Sequence, residues 1–457
     1  MKKLWGSRFA KATSRLTEKF TSSIAFDKKL AKYDVLGSIA HAKMLGKTKI
    51  IAEKEAEKIV SGLKSIFKKI ELGKMQFDNR AEDIHSHIQN VLNKLVGPVA
   101  DKLHTARSRN DQIALDMRMY TLDEIKNINN LVTGLQKSIL KLAEKNQDII
   151  IPAYTHLQPA QVVLLAHHLL AYLEMLERDK ERFSDTYKRT DCMPLGSCAL
   201  TGTSLKIDRF FVTKELKFSQ VANNSIDAVS DRDFVMEALA GLSILSVHLS
   251  RIAEDLILWS TREFDFIEID WSFCTGSSIM PHKKNPDILE LIRASSGKIQ
   301  GDLSSVLIMM KGLPLSYNRD MQMDKPPLFD AVDTIKEILV IFAELFKNIT
   351  VNKNSIAKKL DDESLFSVDI MEYLIKKGVP YRVAHDTVGK MVKNCLDKGI
   401  CIADLDLAQL QRFSPKFRLD LKKILNAKTS VSLKRSYGGT SPAMVKQQFK
   451  RWKGVLK

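Results

Sequence analysis

The amino-acid sequence predicts an all-α protein, three mainly helical domains built around a central bundle of long helices. Apolar residues recur at spacings of three and four through four long stretches, 113–142, 162–187, 234–262 and 288–308, and convincing alternating strands are scarce. Several of these stretches exceed the usual globular helix, which points to a long-helix bundle or association through helix faces. A Gly97-Pro98 break followed by an Arg-rich loop up to Asn110 separates an N-terminal helical domain, 1–109, from the central bundle, 110–361. Acidic and polar residues at 361–364 then interrupt the pattern before a smaller C-terminal helical domain, 362–457. Residues 435–443, RSYGGTSPA, turn the chain into a last helix with Thr440 or Ser441 as its cap.

Composition narrows the class. The 457 residues suffice for a large buried core, and 44% hydrophobic with 27% charged residues is ordinary for a soluble globular protein. With no run of about 18 apolar residues, no membrane-spanning helix is expected. The opening Met1-Lys2-Lys3-Leu4-Trp5 leads into Gly6, Ser7 and Arg8 instead of an apolar segment, so a secretory signal is not expected and a cytoplasmic location is. Five cysteines, an odd count without a CxxC pair, argue against a disulfide framework or a thiolate zinc site. The net charge of +17 comes largely from lysines interspersed with acids, such as Lys54 and Lys58 beside Glu53, Glu55 and Glu57, without interleaved aromatics. That is a solvated surface that attracts a polyanionic substrate, not a nucleic-acid interface. Gly46-Lys47-Thr48 looks like the tail of a phosphate loop, but His41 stands where its first glycine is needed.

The densest chemistry lies in GSSIMPHKKNPD, residues 276–287. Pro281 and Pro286 hold the stretch open, and Asn285 or Asp287 can cap a helix beginning near Ile288. Free amides at that helix start, with Lys283 and Lys284, favour carboxylates and can lower the pKa of a nearby serine. The segment resembles the signature loop of the fumarase/aspartase superfamily, whose members eliminate a group from the carbon next to a carboxylate and release fumarate. HTARSRNDQ (104–112), YTHLQPAQ (154–161), PLGSCAL (194–200), NSIDAVSDRDF (224–234) and KGLPLSYNRDMQMDK (311–325) resemble the argininosuccinate lyase branch. The likeness runs from about Trp5 to Gly439.

The resemblance implies cleavage of argininosuccinate to arginine and fumarate by β-elimination in arginine biosynthesis, with no metal, redox cofactor or nucleotide. It also implies a homotetramer with active sites shared between subunits, and no nucleic-acid or membrane partner. The carbanion formed beside a carboxylate spreads its charge into a doubly charged aci-form, which a fixed cation must meet. The resemblance assigns Lys283 and Asn285 to that charge, Ser277 and His156 to proton transfer, and Glu290 to orienting the histidine. Ser277 as an alkoxide-like base and His156 as a neutral imidazole base both stay open. For the substrate, it implies Ser23 with Asp27 nearby, His85, Arg109, Asn110, Thr155, Tyr317, Gln322 and Lys325.

His85 and His87 stand two apart, so on a helix they point to different faces and do not ligate together; His87 is expected to be exposed. Ala106 replaces a glycine of the family pattern, a mild change if the backbone there is not left-handed, and Cys198 fills a small-residue position, a glycine in PLGSGAL, where it fits only if the neighbouring packing allows it. His282 replaces a glutamine common in the branch and is shared with some adenylosuccinate lyases. An adenylosuccinate lyase or a non-catalytic crystallin-like relative is therefore the alternative.

Overall fold

The computed structural model describes residues 13–457, so Trp5 and the opening residues lie outside the described part. Five long helices dominate: Arg109–Lys145, Leu165–Thr190, Asp233–Ser260, Asp287–Met310 and Lys325–Lys347. The all-α class holds. Strand is confined, among the described residues, to three two-stranded pairings.

One of these corrects the sequence expectation. The stretch 162–164 does not open a helix; it ends the strand Gln158–Leu164, which pairs antiparallel with Ile150–Thr155, and the helix starts at Leu165. Val162 and Val163 are β-branched and fit a pleated surface, while Leu164 donates its amide to Thr440 Oγ1 at 2.9 Å. Thr440 is thereby committed to the strand, and Ser441 takes the N-cap position of the last helix, Pro442–Val455.

The chain divides into two compact units. One comprises the residues up to Asn130, Asp179–Ser246 and Ser295–Lys336; the other comprises Leu131–Arg178, Val247–Ala294 and Glu337–Lys457. Every cut falls inside one of the five long helices. In the first unit, helices Ala31–Lys47, Glu53–Glu71 and Ile84–Val96 pack together, with Leu45, Leu63, Ile66 and Leu92 fully buried. In the second, Ile370, Leu374, Met391, Phe417 and Leu421 form a separate C-terminal core.

By length and composition alone, helix Asp233–Ser260 would suffice to cross a membrane. More than half of that apolar stretch is buried inside the molecule, as in the core helix of a globular protein.

Candidate functional site

The substrate-binding candidates Ser23, Asp27, His85, Arg109, Asn110, Tyr317, Gln322 and Lys325 all fall in the first unit, and Thr155, His156, Ser277, Lys283, Asn285 and Glu290 in the second.

In the first unit a buried polar network joins three of the predicted binding residues, Ser23, Asp27 and Lys325. Ser23 donates its hydroxyl to the Asp27 carboxylate, whose other oxygen lies 3.2 Å from Lys325 Nζ. All three side chains are withdrawn from solvent, so the lysine's charge is held in place by its partner. Gln322 and Arg319 both donate to the carbonyl of Thr21, and Arg319 pairs with Glu82 at 3.2 Å, which holds the turn Arg319–Asp324 against the Ser23 segment. Tyr317 is half-buried, and burial raises its phenol pKa, keeping it a neutral donor. Arg109 pairs with Asp83 at 3.0 Å and donates to Ser86 Oγ at 2.6 Å, while Asn110 donates to the carbonyl of Ala199 at 3.0 Å.

His85 lies deeper. Its Nδ1 is 2.8 Å from Asp34 Oδ1 and 3.7 Å from Asp116 Oδ2, and all three side chains are buried. Burial alone would raise the Asp34 pKa, but His85, Arg107 and Gln112 more than reverse it. Asp116 goes the other way: burial, with Asp34 and Asp27 nearby, pushes it well above the carboxylate range. Donor atoms of Asp34, His85 and Asp116 lie within 4.8 Å of one another, as in a metal site. Arg107 and Lys325 already supply fixed positive charge to this trio, which therefore reads as an ion-paired network supporting the Ser23–Lys325 contacts.

His87 is buried, not exposed as expected. The segment after helix Glu53–Glu71 folds back over that face, placing the Phe77 ring 5.5 Å from the imidazole. Ala106 and Cys198, the two glycine replacements, both adopt left-handed backbone, with φ of 57° and 54°. They also touch, Cys198 Sγ lying 3.3 Å from the carbonyl of Ala106. The condition set for Ala106 is not met, and each residue carries strain on the order of 1 kcal/mol, although the Cys198 side chain finds room against Ala106. Asp111 holds this corner together by accepting the amides of Ser108, Gly196 and Cys198 at 2.8–2.9 Å.

Sequence reading missed a brace behind the substrate turn. Arg232, fully buried, donates Nε to Asp324, and Ser230 Oγ accepts the amide of Ser316 at 2.5 Å. The corner at 230–232 thus pins both ends of the segment carrying Tyr317, Gln322 and Lys325. The NSIDAVSDRDF motif contained the signal, a single arginine, Arg232, set between Asp231 and Asp233 where one helix gives way to the next.

In the second unit, His156 and Leu157 form the tip of the hairpin between Ile150–Thr155 and Gln158–Leu164, with Thr155 paired to Gln158. Both tip residues have positive φ, 54° and 57°, as two-residue I′ turns demand. Such turns favour Asn and Gly, so a histidine and a leucine here are strained, a pattern that clusters at functional sites. Thr155 and His156 are exposed.

The signature loop is clasped at its stem. Thr275 and Asn285 exchange both backbone hydrogen bonds, at 3.0 and 2.8 Å, and the Thr275 hydroxyl donates to the Asp287 carboxylate. Between them, Gly276 and residues 278–283 are exposed, while Ser277 and Lys284 are half-buried. The helix begins at Asp287, one residue earlier than expected. Ser277 Oγ accepts the amides of Met280 at 3.1 Å and Ile279 at 3.4 Å. Lys283 and His282 are exposed, and Glu290 is exposed on the first turn of the helix. Among the described residues no hydrogen bond joins Ser277, His156 and Glu290 to one another. A single chain thus presents the predicted catalytic groups without closing them into one constellation.

The argininosuccinate lyase of Pelotomaculum thermopropionicum is 50% identical over 451 residues, covering 99% of this chain and 98% of that protein. The chain belongs to the argininosuccinate lyase family. The family enzyme of Alkaliphilus metalliredigens is likewise 50% identical, over 97% of this chain and 96% of its own length. Residues 7–301 match the family described as Lyase and residues 365–432 the one described as Argininosuccinate lyase C-terminal. A crystal structure of EDDS lyase in complex with formate superposes with a TM-score of 0.85 at 27% identity, covering 94% of this chain and 87% of that one. The argininosuccinate lyase family is thus recognised along nearly the whole chain, C-terminal segment included.

Proposed function

We propose that this chain cleaves argininosuccinate to arginine and fumarate, as a cytoplasmic enzyme of arginine biosynthesis. The observation that carries the reading is the clasped signature loop, with two backbone amides directed at Ser277 Oγ. Donors onto that oxygen favour its anionic form, which is what an alkoxide-like base requires. In this reading Ser277 removes the proton next to the carboxylate and His156 protonates the leaving nitrogen. Lys283 and Asn285 meet the aci-carboxylate, while Glu290 orients His156. Ser23, Asp27, His85, Arg109, Asn110, Thr155, Tyr317, Gln322 and Lys325 hold the substrate, whose three carboxylates suit this set of amides and cations. Fumarate release, followed by ultraviolet absorbance with argininosuccinate and adenylosuccinate side by side, tests the reaction. Turnover of argininosuccinate that Ser277→Ala abolishes is expected; turnover of adenylosuccinate alone, or of neither, overturns the reading.

We further propose a homotetramer whose active sites draw residues from several subunits. Ser277, His156 and Glu290 do not meet within one chain, and the long helices leave Leu291, Ile308 and Val340 more than half exposed. Mixing Ser277→Ala and His156→Asn subunits should restore part of the activity neither has alone, and light scattering should give four chains. The three segments 1–109, 110–361 and 362–457 remain our proposal for the domain architecture. The separate core within 362–457 supports the last of them.

A further inference from the structure

The two adjacent lysines of the signature loop have different surroundings. Lys283 is exposed, and its backbone amide closes a turn onto the carbonyl of Met280 at 3.0 Å. Lys284 points back to the foot of the loop. Its ammonium lies 3.2 Å from Glu268 Oε1 and 4.3 Å from the centroid of the Trp271 ring, and its side chain is only 19% exposed. Glu268 belongs to the strand Ile267–Ile269, fixed by its antiparallel partner Ile349–Val351, and Trp271 begins the short turn Trp271–Phe273. Trp271 is itself 67% exposed, so the ring covers no core and its visible partner is the lysine.

We propose that Lys284 is a positioning residue for the elimination: held between Glu268 and Trp271, it fixes the descending limb of the loop one residue above the Thr275–Asn285 pairing. The inference rests on the function proposed above and adds a role outside the assigned site. A pairing of two residues closes a loop but leaves its limbs free to pivot. A second anchor on the neighbouring residue removes that pivot for Lys283, which must meet the developing charge in a defined place. An ammonium sandwiched between a carboxylate and an aromatic face suits this, because the contacts are directional and lie outside the loop itself. Arginine can make both contacts; methionine, uncharged, loses the ion pair with Glu268 and the cation–π attraction of the Trp271 ring.

The test is a double-mutant cycle of Lys284→Met and Trp271→Leu, with Lys284→Arg as rescue, read by steady-state kinetics and by hydrogen exchange of the 276–285 amides. Both sites lie at the surface, so the fold should survive. The expected result is a kcat lowered about tenfold in each single variant with KM nearly unchanged. The double variant should be no worse than the singles, kcat should return with arginine, and loop exchange should be faster in the Met and Leu variants. A raised KM in Lys284→Met beside an unaffected Trp271→Leu would mean that Lys284 binds substrate directly, and overturns the proposal. So does wild-type kinetics and exchange in both variants. If the unmodified enzyme fails to turn over argininosuccinate, the functional reading falls, and the exchange data still decide whether Lys284 and Trp271 order the loop.

Discussion

The two groups of predicted site residues are built in opposite ways. The binding group of the first unit is held by buried charge: Lys325 on Asp27, Arg232 on Asp324 and His85 on Asp34, each with both partners almost fully withdrawn from water. The catalytic group of the second unit sits on two exposed projections, a strained hairpin tip and a clasped loop. Recognition of a polyanion gains from charges that cannot relax away. Proton transfer needs groups that can approach a substrate already in place and shut out water around it. The contrast teaches that, on the proposed assignments, stability and chemistry are separable in this chain: the residues proposed to hold the substrate also hold the fold, whereas those proposed to transfer protons do not.

The sharpest break is chemical. Ser277→Ala should lower kcat by about 10²- to 10⁴-fold, the range of a lost acid–base group, and leave the melting temperature unchanged. His156→Asn should cost a similar factor while melting at the same temperature or slightly higher, because asparagine accepts the left-handed turn more readily. Steady-state kinetics with thermal denaturation of the same preparations checks both. A melting temperature lowered by several degrees in either variant would erase the distinction between the two groups.

Arg232→Met should do the reverse, destabilising by about 3–5 kcal/mol because Asp324 is left charged and buried without its partner. Denaturant titration measures the loss, and the surviving folded enzyme should show a raised KM, since the brace behind Tyr317, Gln322 and Lys325 is gone.

A pH titration of stability probes the first unit through its two most strongly depressed histidines. Burial depresses the pKa of His41 to about 3 and of His104 to about 4, with Arg107 adding to the depression of each. Below about 6.5 the unfolded chain takes up protons that the folded chain refuses, so stability is complete above that pH and is lost as pH falls toward 4. Calorimetry between pH 7.5 and 5 should show a falling melting temperature, and His41→Gln should flatten the slope. The smallest effect belongs to the Ala106–Cys198 corner, where restoring glycine at either position should add about 1 kcal/mol with kcat unchanged, measured by chemical denaturation.

The fold was legible because helical periodicity over more than twenty residues is hard to imitate. The long helices at 113–142, 234–262 and 288–308 were expected within a few residues of their observed bounds. The hairpin bearing His156 was not, because its turn contains neither glycine nor asparagine and its second strand runs without a break into a helix. Site residues could be named from motifs, but the groups that support them could not. Asp34 and Asp116 are single acids inside apolar helical stretches, and only the folded chain reveals that Arg107, His85 and Lys325 converge on them. His87 was misjudged for a related reason: one face of its helix was covered by a loop whose path no periodicity encodes.

The Thr275–Asn285 pairing makes 276–284 a tethered ring. Doubling the length of such a ring costs only about 0.6 kcal/mol in closure entropy, so folding places almost no limit on how long it is. What limits it is reach: each inserted residue would carry Ser277 or Lys283 up to about 3.5 Å along the chain from its station. On the proposed roles of Ser277 and Lys283, the length of the loop is thus set by the reaction, and insertions there should yield stable proteins that have lost their catalyst.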